Sequence, residues 1–168
     1  SKSITWQYFI DFCSQIPNID INQAELRITF PNRAQIRLFS GENYERMRGL
    51  YFDGVVSDED DDIPTSAFTY VILPCLLDYK GWHIRMGTPK GRSNLYKSLQ
   101  AAKERPDDSY GLVLKASETG IVSEADLGEI RAKIGEDAYA QEMECSFSVP
   151  RAGAIYSKEI NEARDQGR

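Results

Sequence analysis

An α/β fold with a mostly parallel sheet is predicted by three features of the sequence. A strict apolar alternation over residues 25–30 and 34–39 is broken by Pro31-Asn32-Arg33, as in a hairpin. Two short apolar runs, 52–56 and 82–86, flank a helical pattern, which makes a strand-helix-strand unit. A third run of strand length, 110–114, lies between helical stretches. With 168 residues, 41% hydrophobic and 27% charged, the chain can bury one core of ordinary composition, so a single domain is expected.

In chain order, Ile4, Tyr8, Phe9, Phe12, Cys13 and Ile16 recur at helical spacing and give a first helix over 4–16, stopped by Pro17. The hairpin follows. The run at 52–56 leads into Ser57-Asp58-Glu59, and the run at 82–86 leads into Gly87-Thr88-Pro89. The helix between them, 64–77, has Pro64 in a first-turn position and Pro74 inside it, where a ring without an N–H kinks a helix. Residues 93–105 form a polar amphipathic helix and 110–114 a buried strand. A further helix over 123–134 is capped by Ser123, with Asp126 three residues on. The polar tail 157–168 has helical propensity and few apolar anchors, as a connector does. Pairing the strands that end at Ser57 and Met86 as neighbours follows from the crossover rule and turns Asp58 and Thr88 towards one cleft.

Several function classes are disfavoured by composition. Cys13, Cys75 and Cys145 are odd in number and far apart, so they read as buried thiols rather than a disulfide framework or a zinc site. His83 is the only histidine, which excludes multi-histidine metal sites, and its alternation with Trp82 and Ile84 marks a sheet position. No stretch reaches the roughly 18 apolar residues of a membrane span, and the first residues have no signal-peptide pattern. A soluble, cytosolic protein is expected. A net charge of −6 argues against nucleic-acid binding over the whole surface and leaves room for local basic patches.

A buried strand that delivers adjacent Asp and Glu at its carboxyl end is the Walker B arrangement. The Asp holds Mg²⁺ and the Glu polarises the attacking water. Asp58 and Glu59 occupy those positions. Taken alone, the same pattern is also a solvated acidic turn ahead of the helix at Pro64. A calcium loop starting at Asp58 fails, because Ile63 stands where glycine is required and Thr69 where a bidentate glutamate is required. Gly87-Thr88-Pro89-Lys90-Gly91-Arg92-Ser93 fails as a Walker A loop, with three residues between glycines and Arg92 in place of lysine; its shape is that of a tight Gly/Pro turn.

The order and wording of these segments together resemble tailed-phage terminase large subunits. The stretch 36–59, which includes Arg48-Gly49-Leu50-Tyr51-Phe52-Asp53-Gly54-Val55-Val56-Ser57-Asp58-Glu59, resembles their Walker B region. Gly87-Thr88-Pro89-Lys90-Gly91-Arg92-Ser93-Asn94-Leu95-Tyr96 resembles their coupling motif, and Ala116-Ser117-Glu118-Thr119-Gly120-Ile121 and Gln141-Glu142-Met143-Glu144-Cys145-Ser146-Phe147 extend the likeness over nearly the whole chain. It implies a three-layer P-loop NTPase-like domain, incomplete at its N-terminus, over 1–156, with a connector to a nuclease domain over 157–168. It also implies an ATPase that uses Mg²⁺ and ATP, with Asp58 as the magnesium-side carboxylate, Glu59 as the catalytic base, and Gly87, Thr88 and Pro89 as the γ-phosphate-sensing loop. Arg48 best matches the arginine that reaches a neighbouring subunit's nucleotide, and is equally an exposed surface charge; Arg46 is a weaker match. Implied partners are double-stranded DNA, the portal protein, the small terminase subunit and further copies of the chain, in the bacterial cytoplasm.

Two departures from the family pattern stand out. Ser57 replaces an aliphatic residue, and Asp60-Asp61 replace aromatic or small residues, which alters strand burial and site charge. No Walker A pattern lies within residues 1–168. The chain by itself is therefore expected to bind ATP poorly and to associate through an uncovered strand edge. It reads as an excerpt of a longer protein or a prophage remnant. Two alternatives are a non-catalytic assembly module with the same fold and a metal-dependent nuclease, the latter disfavoured because its carboxylates are consecutive.

Overall fold

The computed structural model describes residues 2–149, so the connector predicted over 157–168 lies outside the described residues. The chain divides into two compact units, Ser1–Asp53 with Pro64–Gly81, and Gly54–Ile63 with Trp82–Arg168. No described helix is long and apolar enough to cross a membrane.

The first unit opens with α1 (Lys2–Cys13), which packs on a three-stranded antiparallel sheet of β1 (Asp20–Asn22), β2 (Arg27–Thr29) and β3 (Gln35–Arg37) in that order. The predicted hairpin is β2–β3, with Ile28 opposite Ile36. It does not join the parallel sheet but forms a separate sheet with β1, a short strand too polar to be read from periodicity. Period-two alternation sends Ile28 inward, where it is fully buried beside Trp6 and Cys13, with Phe9, Ile10 and Ile21 around them. The inward stripe of α1 is thus Trp6-Phe9-Ile10-Cys13, fixed at one end by the Trp6 indole donating to Gln23 Oε1 at 2.6 Å. Ile4, Tyr8 and Phe12, predicted on the buried face, are exposed. The large indole has both a core to fill and a polar partner to reach, and it sets the rotation of the helix.

After a 3₁₀ segment, Gly41–Met47, the unit resumes with three contiguous helical segments: α2 (Thr65–Ala67), a π turn (Phe68–Ile72) and α3 (Leu73–Leu77). Pro74 explains the interruption. It has no N–H for the Tyr70 carbonyl, and its ring collides with that carbonyl in a regular α-helix. A wider π turn relieves the clash, and Arg48 Nη1 approaches the Tyr70 carbonyl at 3.4 Å. Ala67, Val71, Ile72, Cys75 and Leu76 are buried, and the Cys75 thiol donates to the Met47 carbonyl at 3.1 Å.

The second unit is built on β4 (Gly54–Ser57) and β5 (Trp82–Arg85), parallel and in register from Gly54 opposite Trp82 to Ser57 opposite Arg85. Both strands and their adjacency agree with the sequence. Gly54 is required by that register, because a Cβ there would lie 2.1 Å from the Trp82 ring. Among the described residues four helices follow: α4 (Asn94–Glu104), α5 (Ala116–Thr119), α6 (Glu124–Ile134) and α7 (Glu136–Glu142). The Ser123 side chain accepts from the Asp126 amide at 3.1 Å, so the predicted cap holds.

The predicted buried strand at 110–114 does not form. Those residues lie outside any strand, and Tyr110, Leu112 and Leu114 are exposed. The apolar pattern is that of a strand, but among the described residues no neighbouring strand supplies the hydrogen-bonded ladder that a strand requires.

Candidate functional site

The site grows out of the carboxyl ends of β4 and β5, where open α/β sheets bind ligands. The parallel ladder continues one residue beyond the strands. Met86 donates to the Ser57 carbonyl and the Asp60 amide donates to the Met86 carbonyl, each at 3.0 Å. Between those two bonds the chain turns through Asp58 and Glu59, with Glu59 in the left-handed region at φ 50°.

Gly87 lies directly against this turn. A Cβ there would stand 3.0 Å from Glu59 Cα and 3.3 Å from the Asp60 nitrogen, and its φ of 147° is one that side chains rarely adopt. The Gly87-Thr88-Pro89 loop therefore backs onto the Asp58-Glu59 turn. Of the loop, Pro89 is buried and Thr88 partly so.

The run of five acidic residues separates into two groups. Asp60 and Asp61 are buried, and Asp58, Glu59 and Asp62 are exposed. Asp60 Oδ2 accepts from Arg85 Nε at 3.0 Å and Nη2 at 2.5 Å, and the same guanidinium donates to Ser98 Oγ. Asp61 accepts from the Lys90 amide at 3.0 Å, Ser93 Oγ at 2.5 Å and the Leu95 amide at 2.9 Å, tying the loop and the start of α4 to the turn. Asp62 pairs with Lys90 Nζ at 2.5 Å. Asp58 and Glu59 have no such commitments. Asp58 Oδ1 accepts only from the adjacent Glu59 amide at 3.1 Å, and the Glu59 carboxylate has no hydrogen-bond partner among the described residues.

The sequence presents Asp60 and Asp61 as added site charge. They are instead internal fasteners whose partners lie 25 to 34 residues away, a distance at which no local pattern signals the contact. Ser57 is likewise accommodated. Buried at 3% exposure, it meets His83 Nε2 at 2.8 Å diagonally across the strand pair, so the strand end carries a satisfied polar pair. Burial, then the nearby Arg85 charge, hold the His83 pKa below its ordinary value, opposed by Asp60.

The two exposed carboxylates suit a magnesium ion that keeps waters and substrate phosphate oxygens in its shell. Such a site needs only one or two protein carboxylates. Among the described residues no group of three or more His, Cys, Asp or Glu side chains is placed to hold a metal by itself. Arg48 belongs to the first unit. It is exposed and forms an ion pair with Glu45, with Nη2 to Oε1 at 3.1 Å, and the paired carboxylate raises its already high pKa. Cys13 and Cys75 are buried as expected, and Cys145 is partly buried.

No protein-family model and no curated protein matches the chain. Solved structures do. The large terminase ATPase domain of Thermus phage P74-26 superposes with a TM-score of 0.64 at 18% identity, over 87% of this chain and 72% of that one. A point mutant of that domain gives 0.66 at 17% identity with the same coverage. A large terminase from a thermophilic bacteriophage, solved in complex with ADP, gives 0.62 at 15% identity over 84% of this chain, which spans 35% of that protein's length. The chain has the mixed α/β, P-loop-like fold of the ATPase domain of phage large terminases.

Proposed function

We propose that the chain is the Walker B and coupling part of a terminase-type ATPase, the ATP-driven motor that packages viral DNA in the cytoplasm of a bacterial host. The observation that carries the reading is the division of the acidic run: of five consecutive carboxylates, only Asp58 and Glu59 are exposed and uncommitted, and they stand at the end of a parallel strand. The fold shared with terminase ATPase domains supports it.

In this reading Mg²⁺, when bound, neutralises the charge that develops on the transferred phosphate. Asp58 holds the magnesium side of the site. Glu59 accepts a hydrogen bond from the attacking water and aligns it. Gly87, Thr88 and Pro89 sense the γ-phosphate, and because Gly87 rests on the Glu59 backbone, a shift in one displaces the other. Arg48 is released from Glu45 to reach a nucleotide on a neighbouring subunit. The phosphate cradle is supplied by a Walker A loop elsewhere in the longer protein, and double-stranded DNA, the portal protein and the small terminase subunit are its partners.

The test compares nucleotide affinity with Mg²⁺ and with EDTA in the longer protein carrying this domain. Asp58→Asn removes most of the difference between the two conditions. A Mg²⁺ effect unchanged in that variant contradicts the assignment.

A further inference from the structure

Within the second unit, the loop that leaves β5 is fastened at both ends to the turn that follows β4. Its start is held by the Asp60 amide, which donates to the Met86 carbonyl at 3.0 Å, and by Gly87 lying against Glu59 Cα. Its far end is held by one side chain. Asp61, at 7% exposure, takes three donors: the Lys90 amide and Ser93 Oγ on Oδ2, and the Leu95 amide on Oδ1.

The third of these bonds replaces a local cap. Ser93 stands just before the first turn of α4, where a serine side chain ordinarily accepts from an amide of that turn. It makes no such bond, and its hydroxyl donates to Asp61 instead. The Leu95 amide is therefore satisfied by a residue 34 positions earlier, whose negative charge also suits the start of a helix. A cap from Ser93 would hold α4 alone. A cap from Asp61 holds α4, the loop and the Asp58-Glu59 turn as one body.

We propose that Asp61 is a positioning residue for ATP hydrolysis: it locks the Gly87-Thr88-Pro89 loop to the turn that presents Glu59, so that contact of the loop with a γ-phosphate sets the position of the base. Asp61 acts through that turn and touches neither nucleotide nor water. The inference rests on the ATPase reading and adds a control of the same site. An asparagine cannot replace the carboxylate, because its NH₂ end donates and would face another donor.

The test measures kcat, KM and nucleotide affinity in the longer protein carrying this domain, at a temperature where melting curves show each variant folded. Asp61→Asn is expected to lower kcat by about 10- to 100-fold, the scale of a slightly misplaced catalytic group. Its affinity for ATP with Mg²⁺, measured by calorimetry, stays near the native value, because ground-state contacts are untouched. Ser93→Ala lowers kcat in the same direction, and Ser93→Thr, which keeps the hydroxyl, restores it. The double variant Asp61→Asn with Ser93→Ala is no slower than Asp61→Asn alone, since both cut one connection. In the 168-residue chain, without nucleotide, Ser93→Ala speeds hydrogen exchange of the Asp60 amide on the other side of the lock. A native kcat in folded Asp61→Asn, additive losses in the double variant, or unchanged exchange at Asp60 each overturn the proposal. Glu59→Gln is measured in the same series. If it turns over at the native rate, the ATPase reading itself has failed, whereas an inactive Glu59→Gln beside a fully active Asp61→Asn removes this inference alone.

Discussion

Arg85, the last residue of β5, reaches Asp60 in the turn that follows β4 and makes two hydrogen bonds to one carboxylate oxygen. With side-chain exposures of 19% and 5%, the pair is screened from water, and breaking it leaves a buried carboxylate without its counter-charge. Arg85→Met is therefore expected to lower the free energy of unfolding by about 3 to 5 kcal/mol. Urea denaturation measures the loss, and a change below about 1 kcal/mol, the scale of an exposed pair, contradicts the structural role given to Asp60.

Gly87 and Gly128 make a paired test of the loop geometry. Alanine at Gly87 meets the Glu59 backbone at a φ of 147°, and about 1 to 3 kcal/mol of destabilisation is expected. Alanine at Gly128, inside α6 with open space around it, is expected to stabilise by up to about 1 kcal/mol. Equal effects at the two positions, read from melting temperatures, contradict the packing of the loop on the turn.

His83 gives the fold a dependence on pH with a defined sign. Its pKa is lowered in the folded chain, chiefly by burial, while the unfolded chain takes up a proton near the ordinary value of about 6.5. Below that value the unfolded state binds more protons, so the His83 contribution is full above pH of about 6.5 and is lost as pH falls through the folded value. Stability curves of the native chain and His83→Gln between neutral and mildly acidic pH are expected to differ in slope, the variant being flatter. Parallel curves contradict the assignment.

Much of this arrangement was legible in the sequence, and what was not shares a cause. The paired parallel strands and the Ser123 cap are set by local pattern, so they could be read directly. The roles of Asp60 and Asp61 depend on Arg85, Lys90, Ser93 and Leu95, and the inward face of α1 depends on Gln23. Residues 110–114 have the composition of a buried strand, but strand formation requires a neighbour as well as a pattern.

That unpaired segment leads to a further expectation. Among the described residues the amides of 110–113 make no backbone hydrogen bonds, whereas β4 and β5 are laddered. Hydrogen exchange of the 168-residue chain should find those amides exchanging at nearly unprotected rates, with β4 and β5 slower. Unpaired strand-like backbone beside exposed Leu112 and Leu114 also favours self-association, visible by light scattering and reduced by Leu112→Lys. A clean monomer with protected amides at 110–113 contradicts this expectation.

The roles proposed for Asp58 and Glu59 meet in a single variant. A base that aligns water acts in the transition state, whereas ground-state affinity for nucleotide rests on phosphate and magnesium contacts. In the longer protein that carries this domain, Glu59→Gln should reduce ATP turnover by at least about 100-fold, as expected when a positioned base is lost. Its affinity for ATP, measured by calorimetry, should stay within a few-fold of the native protein. Loss of turnover with retained binding is the result the account predicts; unchanged turnover, or binding lost in proportion to turnover, contradicts it.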